Sequence, residues 1–195
     1  RPSVAPNGTV LLAGSISVLA YDVDGSDLSF LWHLSGIGLV SSMMVFPDNV
    51  TLAGDYKLTG GQYHYLRTIS AAGDSLWVTQ YDLGFDHQAM LSDGRFLLTF
   101  DEWEVPKNGK IECYNPDGSI FWRYSPGEEI QGLVVDGSDR IYTLLGGVNY
   151  GGHMRLVSLN ASGVLWQHDL DFTTCAPNAT DTQWDCSSAN LVIGD

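Results

Sequence analysis

Four of the six tryptophans, Trp32, Trp77, Trp122 and Trp166, recur at intervals of 45, 45 and 44 residues, and such regularity confines the chain to a small unit repeated four times. Each indole sits in a short apolar run (Phe30-Leu31-Trp32, Leu76-Trp77, Ile120-Phe121-Trp122, Val164-Leu165-Trp166) a few residues after a turn glycine, Gly25, Gly73, Gly118 or Gly163. Before each turn lies a strand-like run, Val18 to Tyr21, Tyr65 to Ile69, Ile111 to Tyr114 and Leu156 to Leu159, opened by Gly14, Gly61, Gly109 or Gly152. After each tryptophan strand come another apolar run and a second polar turn: Pro47-Asp48-Asn49, Ser92-Asp93-Gly94 and Asp136-Gly137-Ser138-Asp139. Alternating or β-rich residues follow those turns, as in Arg95 to Phe100 and Arg140 to Thr143. The period therefore holds four strands. No stretch sustains the three-and-four apolar spacing of a helix, so helix is expected to be nearly absent.

Four strands in each unit, with one aromatic anchor per unit, is the pattern of β-propeller blades, in which each small twisted sheet packs its face on the next. The fold class expected is all-β, with four such blades over residues 1–195 and a loop insertion near 171–187. Ile111-Glu112-Cys113-Tyr114-Asn115-Pro116-Asp117-Gly118-Ser119-Ile120-Phe121-Trp122 and Leu156-Val157-Ser158-Leu159-Asn160-Ala161-Ser162-Gly163-Val164-Leu165-Trp166 resemble the repeat of PQQ-like, quinoprotein-type β-propellers, and the resemblance runs over nearly the whole chain. It implies a ring and leaves two forms open, a closed four-bladed ring or a window on a ring of seven or eight blades. The chain reads as starting at a turn, Pro6-Asn7-Gly8, and as stopping on Leu191 to Asp195, which matches a first strand and turn. That phase predicts a first blade lacking its first strand, with the last strand completing it or adding to the open edge of a neighbour.

Nine basic against twenty-three acidic side chains give a net charge of −14, a field that repels phosphate backbones and anionic lipid faces and argues against a nucleic-acid partner. The longest apolar run, Val10 to Tyr21, is broken by Gly14, Ser15 and Ser17 and is too short to cross a bilayer, so no membrane insertion is expected. The chain opens on Arg1, which reads as an excerpt or as the product of leader cleavage. Charged residues are only 16% of the chain while 44% are hydrophobic, so uncharged polar groups must wet the surface. Asn7-Gly8-Thr9, Asn49-Val50-Thr51, Asn160-Ala161-Ser162 and Asn178-Ala179-Thr180 have the form of N-glycosylation acceptors at or beside turns, and N-linked glycans would supply such wetting. The interval from Trp166 to Val192 exceeds that from Trp122 to Val134 by 14 residues, and Cys175 and Cys186 both lie in that insertion. Paired, they would close a short loop worth about 3 kcal/mol on the chain-entropy model, and they would need an oxidising compartment. Both signals point to a secreted or cell-surface protein. Cys113, inside a strand, reads as a buried free thiol acting as a small hydrophobe.

Asp22-Val23-Asp24-Gly25-Ser26-Asp27 sets three carboxylates around a glycine turn, a candidate Ca2+ site, although a solvated hairpin calls for Asp and Gly anyway. Asp169, Asp171, Asp181 and Asp185 make a second acidic grouping. His87, in Phe85-Asp86-His87-Gln88-Ala89-Met90-Leu91-Ser92-Asp93-Gly94, falls on an innermost strand and is the candidate catalytic residue. Its segment looks like the His-bearing strand of arylsulfotransferase-type propellers, a resemblance implying sulfuryl transfer. The matching positions, near Ser42, Gln131 and Ala189, hold no histidine, which favours a structural role for His87. His33, His64, His153 and His168 are scattered over different strands. Quinone-dependent alcohol dehydrogenases share the repeat, but nothing that holds their cofactor can be matched here, so PQQ is not expected and no cofactor is predicted. Trp103 and Trp184 fall outside the repeat phase, beside acids, as candidate partner-binding aromatics or as covers for a blade edge. The function expected is a non-enzymatic extracellular module that binds protein chains or glycans, or assembles with itself through a blade edge strand. The alternatives are a piece of a propeller enzyme and a calcium-assisted glycan binder.

Overall fold

The structure, a computed structural model, describes residues 2–14, 16–46, 49–58, 61–81, 85–101, 108–146 and 153–170. Among them there is no helix, and so none long and apolar enough to cross a membrane. Sixteen strands among the described residues form four antiparallel meanders. Sheet I contains β1 (Pro2–Val4), β2 (Val10–Ala13), β3 (Ser17–Asp24) and β4 (Asp27–Ser35); sheet II contains β5 (Leu39–Val45), β6 (Asn49–Leu58), β7 (Gly61–Ser70) and β8 (Ser75–Tyr81). Sheet III contains β9 (Phe85–Met90), β10 (Phe96–Asp101), β11 (Gly109–Tyr114) and β12 (Ile120–Tyr124); sheet IV contains β13 (Ile130–Val135), β14 (Ile141–Gly146), β15 (Met154–Asn160) and β16 (Gly163–Leu170). The chain gathers into two compact units, Arg1–Leu83 with sheets I and II, and Gly84–Asp195 with sheets III and IV.

One expectation is corrected. Sheet I does not lack its first strand: Pro2, Ser3 and Val4 pair with Leu12, Leu11 and Val10. A three-residue strand headed by proline carries almost no periodic signal, and proline is tolerated as the first residue of an edge strand. Leu191 to Asp195 lie outside the described residues, as do Cys175, Cys186, Asn178, Trp103 and Trp184.

Register shows what the repeat encodes. Trp32, Trp77, Trp122 and Trp166 stand opposite Ala20, Thr68, Cys113 and Ser158, four small residues that are all fully buried. Immediately beside each pair the ladder slips, leaving one extra residue on the tryptophan strand: Leu31, Leu76, Phe121 and Leu165, each exposed. A bulge at the same place in every hairpin bends the outer strand and re-aims the indole, and the small partner leaves room for it.

The turns repeat as well. At residues 5–9, 70–74, 91–95, 115–119 and 136–140 the first amide donates to the last carbonyl and the fourth amide to the first carbonyl. This is a tight turn followed by a left-handed residue. That residue is Gly8, Gly73, Gly94 or Gly118 in four of them and Asp139, at φ +60°, in the fifth. Asp139 is held there by sheet III, since the Ser92 amide donates to its carboxylate at 2.7 Å and the Ser92 hydroxyl to its other oxygen.

Within each unit the first sheet turns its tryptophan-bearing front onto the back of the second. In the first unit Leu11, Val18 and Ala20 meet Val50 and Ile69, with Trp32 and Leu34 packed against them. In the second, Leu97, Ile111 and Cys113 meet Ile141, Leu145, Val157 and Leu159, with Trp122 and Tyr124 alongside. Cys113 is therefore the buried free thiol that the sequence indicates. Burial pushes its thiol up to about 11, against a weaker opposing pull from Arg95. At mildly alkaline pH an aqueous alkylating reagent will leave Cys113 unmodified in the folded chain and label it after denaturation, as read by peptide mass; labelling at equal rates in both states would contradict this packing.

Candidate functional site

In a four-stranded meander the first-to-second and third-to-fourth turns share one end of the sheet. The second-to-third connection and the crossover to the next sheet share the other. Within their own sheets, the described acceptor asparagines lie at the turn end. Asn7 is exposed in the β1–β2 turn with its Oδ1 accepting the Thr9 amide at 3.1 Å, and Asn160 closes β15 with its Oδ1 accepting the Ser162 amide at 2.8 Å. Asn49 is the first residue of β6. In both hydrogen-bonded cases the side chain uses its oxygen on the backbone two residues on, as turn asparagines do.

The crossover end of the second unit is different. A groove of about 500 Å³ opens there, lined by Gly127 and Glu128 from the β12–β13 crossover, His153, Met154 and Arg155 at the entry of β15, and Asp169 and Leu170 at the exit of β16. Arg155 spans it: Nη2 reaches Glu128 at 3.0 Å, Nε reaches Asp169 at 3.1 Å, and Nη1 reaches Gln167 at 3.4 Å. Backbone approach fixes the frame. The Gly109 amide donates to the Glu128 carbonyl and the Gly146 amide to that of Glu129. A Cβ on Gly109 would sit 2.7 Å from the Glu128 oxygen, and one on Gly146, at φ +101°, 2.1 Å from the His153 oxygen. Beside the groove, burial pushes the Tyr124 phenol up, with Arg155 opposing and Glu128 assisting. The lining residues pair no nucleophile with a base. A guanidinium held between two carboxylates is equipped to recognise a charged surface by exchanging ion-pair partners.

His87 lies on β9, half-buried, its amide donating to Thr99 Oγ1 at 2.9 Å. Burial lowers its pKa from 6.5, while Asp86 and a hydrogen bond to the Ile130 backbone pull the other way. At the matching place in sheet IV, Gln131 donates to the Gly146 carbonyl at 3.1 Å. A histidine kept neutral when folded and protonated when unfolded adds stability above its ordinary pKa and loses it as pH falls. The unfolding midpoint of the chain is thus expected to drop below pH 6.5, and His87→Gln to flatten that part of the profile.

Asp22, Asp24 and Asp27 are all exposed, Asp22 and Asp24 on β3 and Asp27 at the start of β4. They do not converge: among the described residues no group of three or more His, Cys, Asp or Glu is disposed to hold a metal ion. His33 is on β4, His64 on β7 and His168 on β16.

Sequence reasoning missed a charge cluster on the back of sheet III. Glu112, fully buried, receives Lys110 Nζ at 3.1 Å, Arg123 Nε at 2.7 Å and the Tyr114 hydroxyl. Its signal was present, an acid in the middle of the apolar run Ile111 to Tyr114, but Arg123 becomes its partner only through the β11–β12 register. Arg155 was missed for the same reason, since its carboxylates come from a crossover and a neighbouring strand.

No protein-family model matches this chain, and no curated protein does. The structure is similar to a propeller-type chain in the crystal structure of the mitotic checkpoint complex, with a TM-score of 0.54 at 11% identity over 86% of this chain. The fold is of β-propeller type. This chain spans 48%, about half, of that one, and at such identity the likeness speaks for the fold alone.

Proposed function

We propose that this chain is an extracellular, N-glycosylated propeller module of quinoprotein-like repeat that works without catalysis, holding a protein partner on the crossover end of its second unit. The observation that carries the reading is the division of labour between the two ends of the second unit. In the second unit the acceptor Asn160 occupies the hairpin-turn end, where a bulky sugar is tolerated, and the Arg155 groove occupies the opposite, crossover end. A net charge of −14 favours a partner with a basic face and predicts binding that weakens with salt. Propellers serve many chemistries, so the fold alone names no partner.

The chain secreted from a eukaryotic host should lose mass on enzymatic deglycosylation, with modified peptides containing Asn7, Asn49 or Asn160; an unshifted intact mass overturns the glycan part. Arg155→Glu should abolish co-purification of the native partner with the circular dichroism spectrum unchanged, whereas Asp117→Ala, in a turn at the opposite end, should not. Turnover of an aryl sulfate or an alcohol by the purified chain would replace this reading with an enzymatic one.

A further inference from the structure

Both internal sheet contacts obey one rule, the front of one sheet against the back of the next. Four faces have no such neighbour inside their unit, the backs of sheets I and III and the fronts of sheets II and IV; of these, the back of sheet I gathers the exposed large apolar side chains, and the front of sheet IV leaves its tryptophan exposed. Register assigns Val4, Leu12, Val23, Leu28 and Phe30 to the back of sheet I, because Val4 pairs with Val10, Leu12 with Leu19, Val23 with Leu28 and Phe30 with Tyr21, all on the side opposite Ala20 and Trp32. All five are exposed, Val4 by 65%, Leu28 by 66% and Phe30 by 58%. Scattered exposed hydrophobes are ordinary, whereas a whole sheet face of them marks an interaction surface. On the front of sheet IV, Trp166 pairs with Ser158 as Trp122 does with Cys113, yet it remains 41% exposed and touches Tyr142 with ring centroids 6.0 Å apart. Val134, Tyr142 and Leu156 around it are half-buried, where their counterparts Leu97 and Ile111 in sheet III are fully covered.

We infer that the front of sheet IV is docked, in solution, by the back of sheet I of a second copy of this chain. Each copy carries both halves of an interface that the fold already uses twice, a tryptophan-bearing front and an aliphatic back, so a like chain fits without a new contact type. The contact is heterologous, and association continues until a closed assembly or an open filament results. It is a packing of faces, distinct from pairing along an edge strand. Because each copy carries the same net charge of −14, added salt should strengthen the association by screening repulsion. This deepens the module reading with a surface separate from the Arg155 groove, so Arg155→Glu should leave self-association intact; partner loss and self-association loss are thereby read independently.

The test is sedimentation velocity of the purified chain over a wide concentration range at low and high salt. Species heavier than one 21.3 kDa chain should appear, increasing with concentration and with salt. Leu28→Arg and Phe30→Arg, both at side chains already in water, should each give monomers, as should Trp166→Ala. An equimolar mixture of Phe30→Arg and Trp166→Ala retains one intact front and one intact back, and should form pairs that grow no further. A wild-type chain monomeric throughout overturns the proposal, as does a mixture that stays monomeric. Assembly that survives Trp166→Ala but not Phe30→Arg overturns it in favour of back-to-back pairing of sheet I.

Discussion

Replacing Trp32 by alanine will lower the unfolding free energy of the first unit by about 3 kcal/mol, at the low end of what loss of a packed aromatic costs because one edge of the indole faces water. The indole lies against the sheet I–II core and donates its Nε1 proton to the Ala71 carbonyl at 2.8 Å, across 39 residues of chain. Trp32→Phe keeps most of the buried surface and loses the hydrogen bond, so its cost should be nearer 1 kcal/mol. The receiving side is equally specific. Gly73 sits at φ +89°, and a Cβ there would stand 2.8 Å from Trp32 Cδ2. Gly73→Ala combines left-handed strain with a clash against the ring, for a cost of about 2 kcal/mol. In the double variant the ring is gone, so the two losses must sum to less than their separate total, by roughly the part of the glycine effect that is clash. Denaturant unfolding of the four proteins checks this. Full additivity would show that the turn and the indole do not touch in solution. Trp166→Ala, with its indole open to solvent, should cost about 1 kcal/mol in the single chain.

Much of this architecture was legible because aromatic spacing and turn glycines survive in one dimension. Trp32, Trp77, Trp122 and Trp166 mark the outer strand of each meander, and Gly73 and Gly118 fall on the left-handed turn positions. Where the turn residue is aspartate the sequence is silent on the left-handed position. Asp136-Gly137-Ser138-Asp139 reads as a polar turn without showing its left-handed residue, and Asp139 adopts positive φ with its carboxylate anchored by Ser92 of the adjoining sheet. The bulge before each tryptophan was invisible for a different reason, since an extra residue exists only relative to a partner strand. Sites made by register or by crossovers, Glu112 with Arg123 and Arg155 with Glu128, were lost on the same ground. His87 lies on β9, at the edge of sheet III, and burial there favours a neutral imidazole.

The Glu112 cluster carries the second large effect, and its asymmetry decides which variant is worst. The carboxylate is fully enclosed while Arg123 is more than half exposed and Lys110 a third exposed. Removing the acid leaves two cations that water can reach. Removing both cations strands an anion that water cannot. Lys110→Met with Arg123→Met should therefore cost about 3–5 kcal/mol, the range for breaking a buried ion pair from one side. Adding Glu112→Met to that pair should recover most of the loss, because a matched apolar cluster needs no compensating charge. The pH dependence follows from the same contacts. Burial alone would raise the Glu112 carboxyl, but hydrogen bonds from Tyr114 and Lys110, the Lys110 charge and then Arg123 hold it below its ordinary 4.5. With the folded value depressed, the unfolded chain takes up the proton first. The contribution is complete above the unfolded value and disappears as pH falls through the folded one. Wild-type stability should thus decline in acid below about pH 4.5, and the triple variant should show a shallower decline over that interval. A triple variant no more stable than the double would mean that Glu112 contributes through its shape and not through its charge.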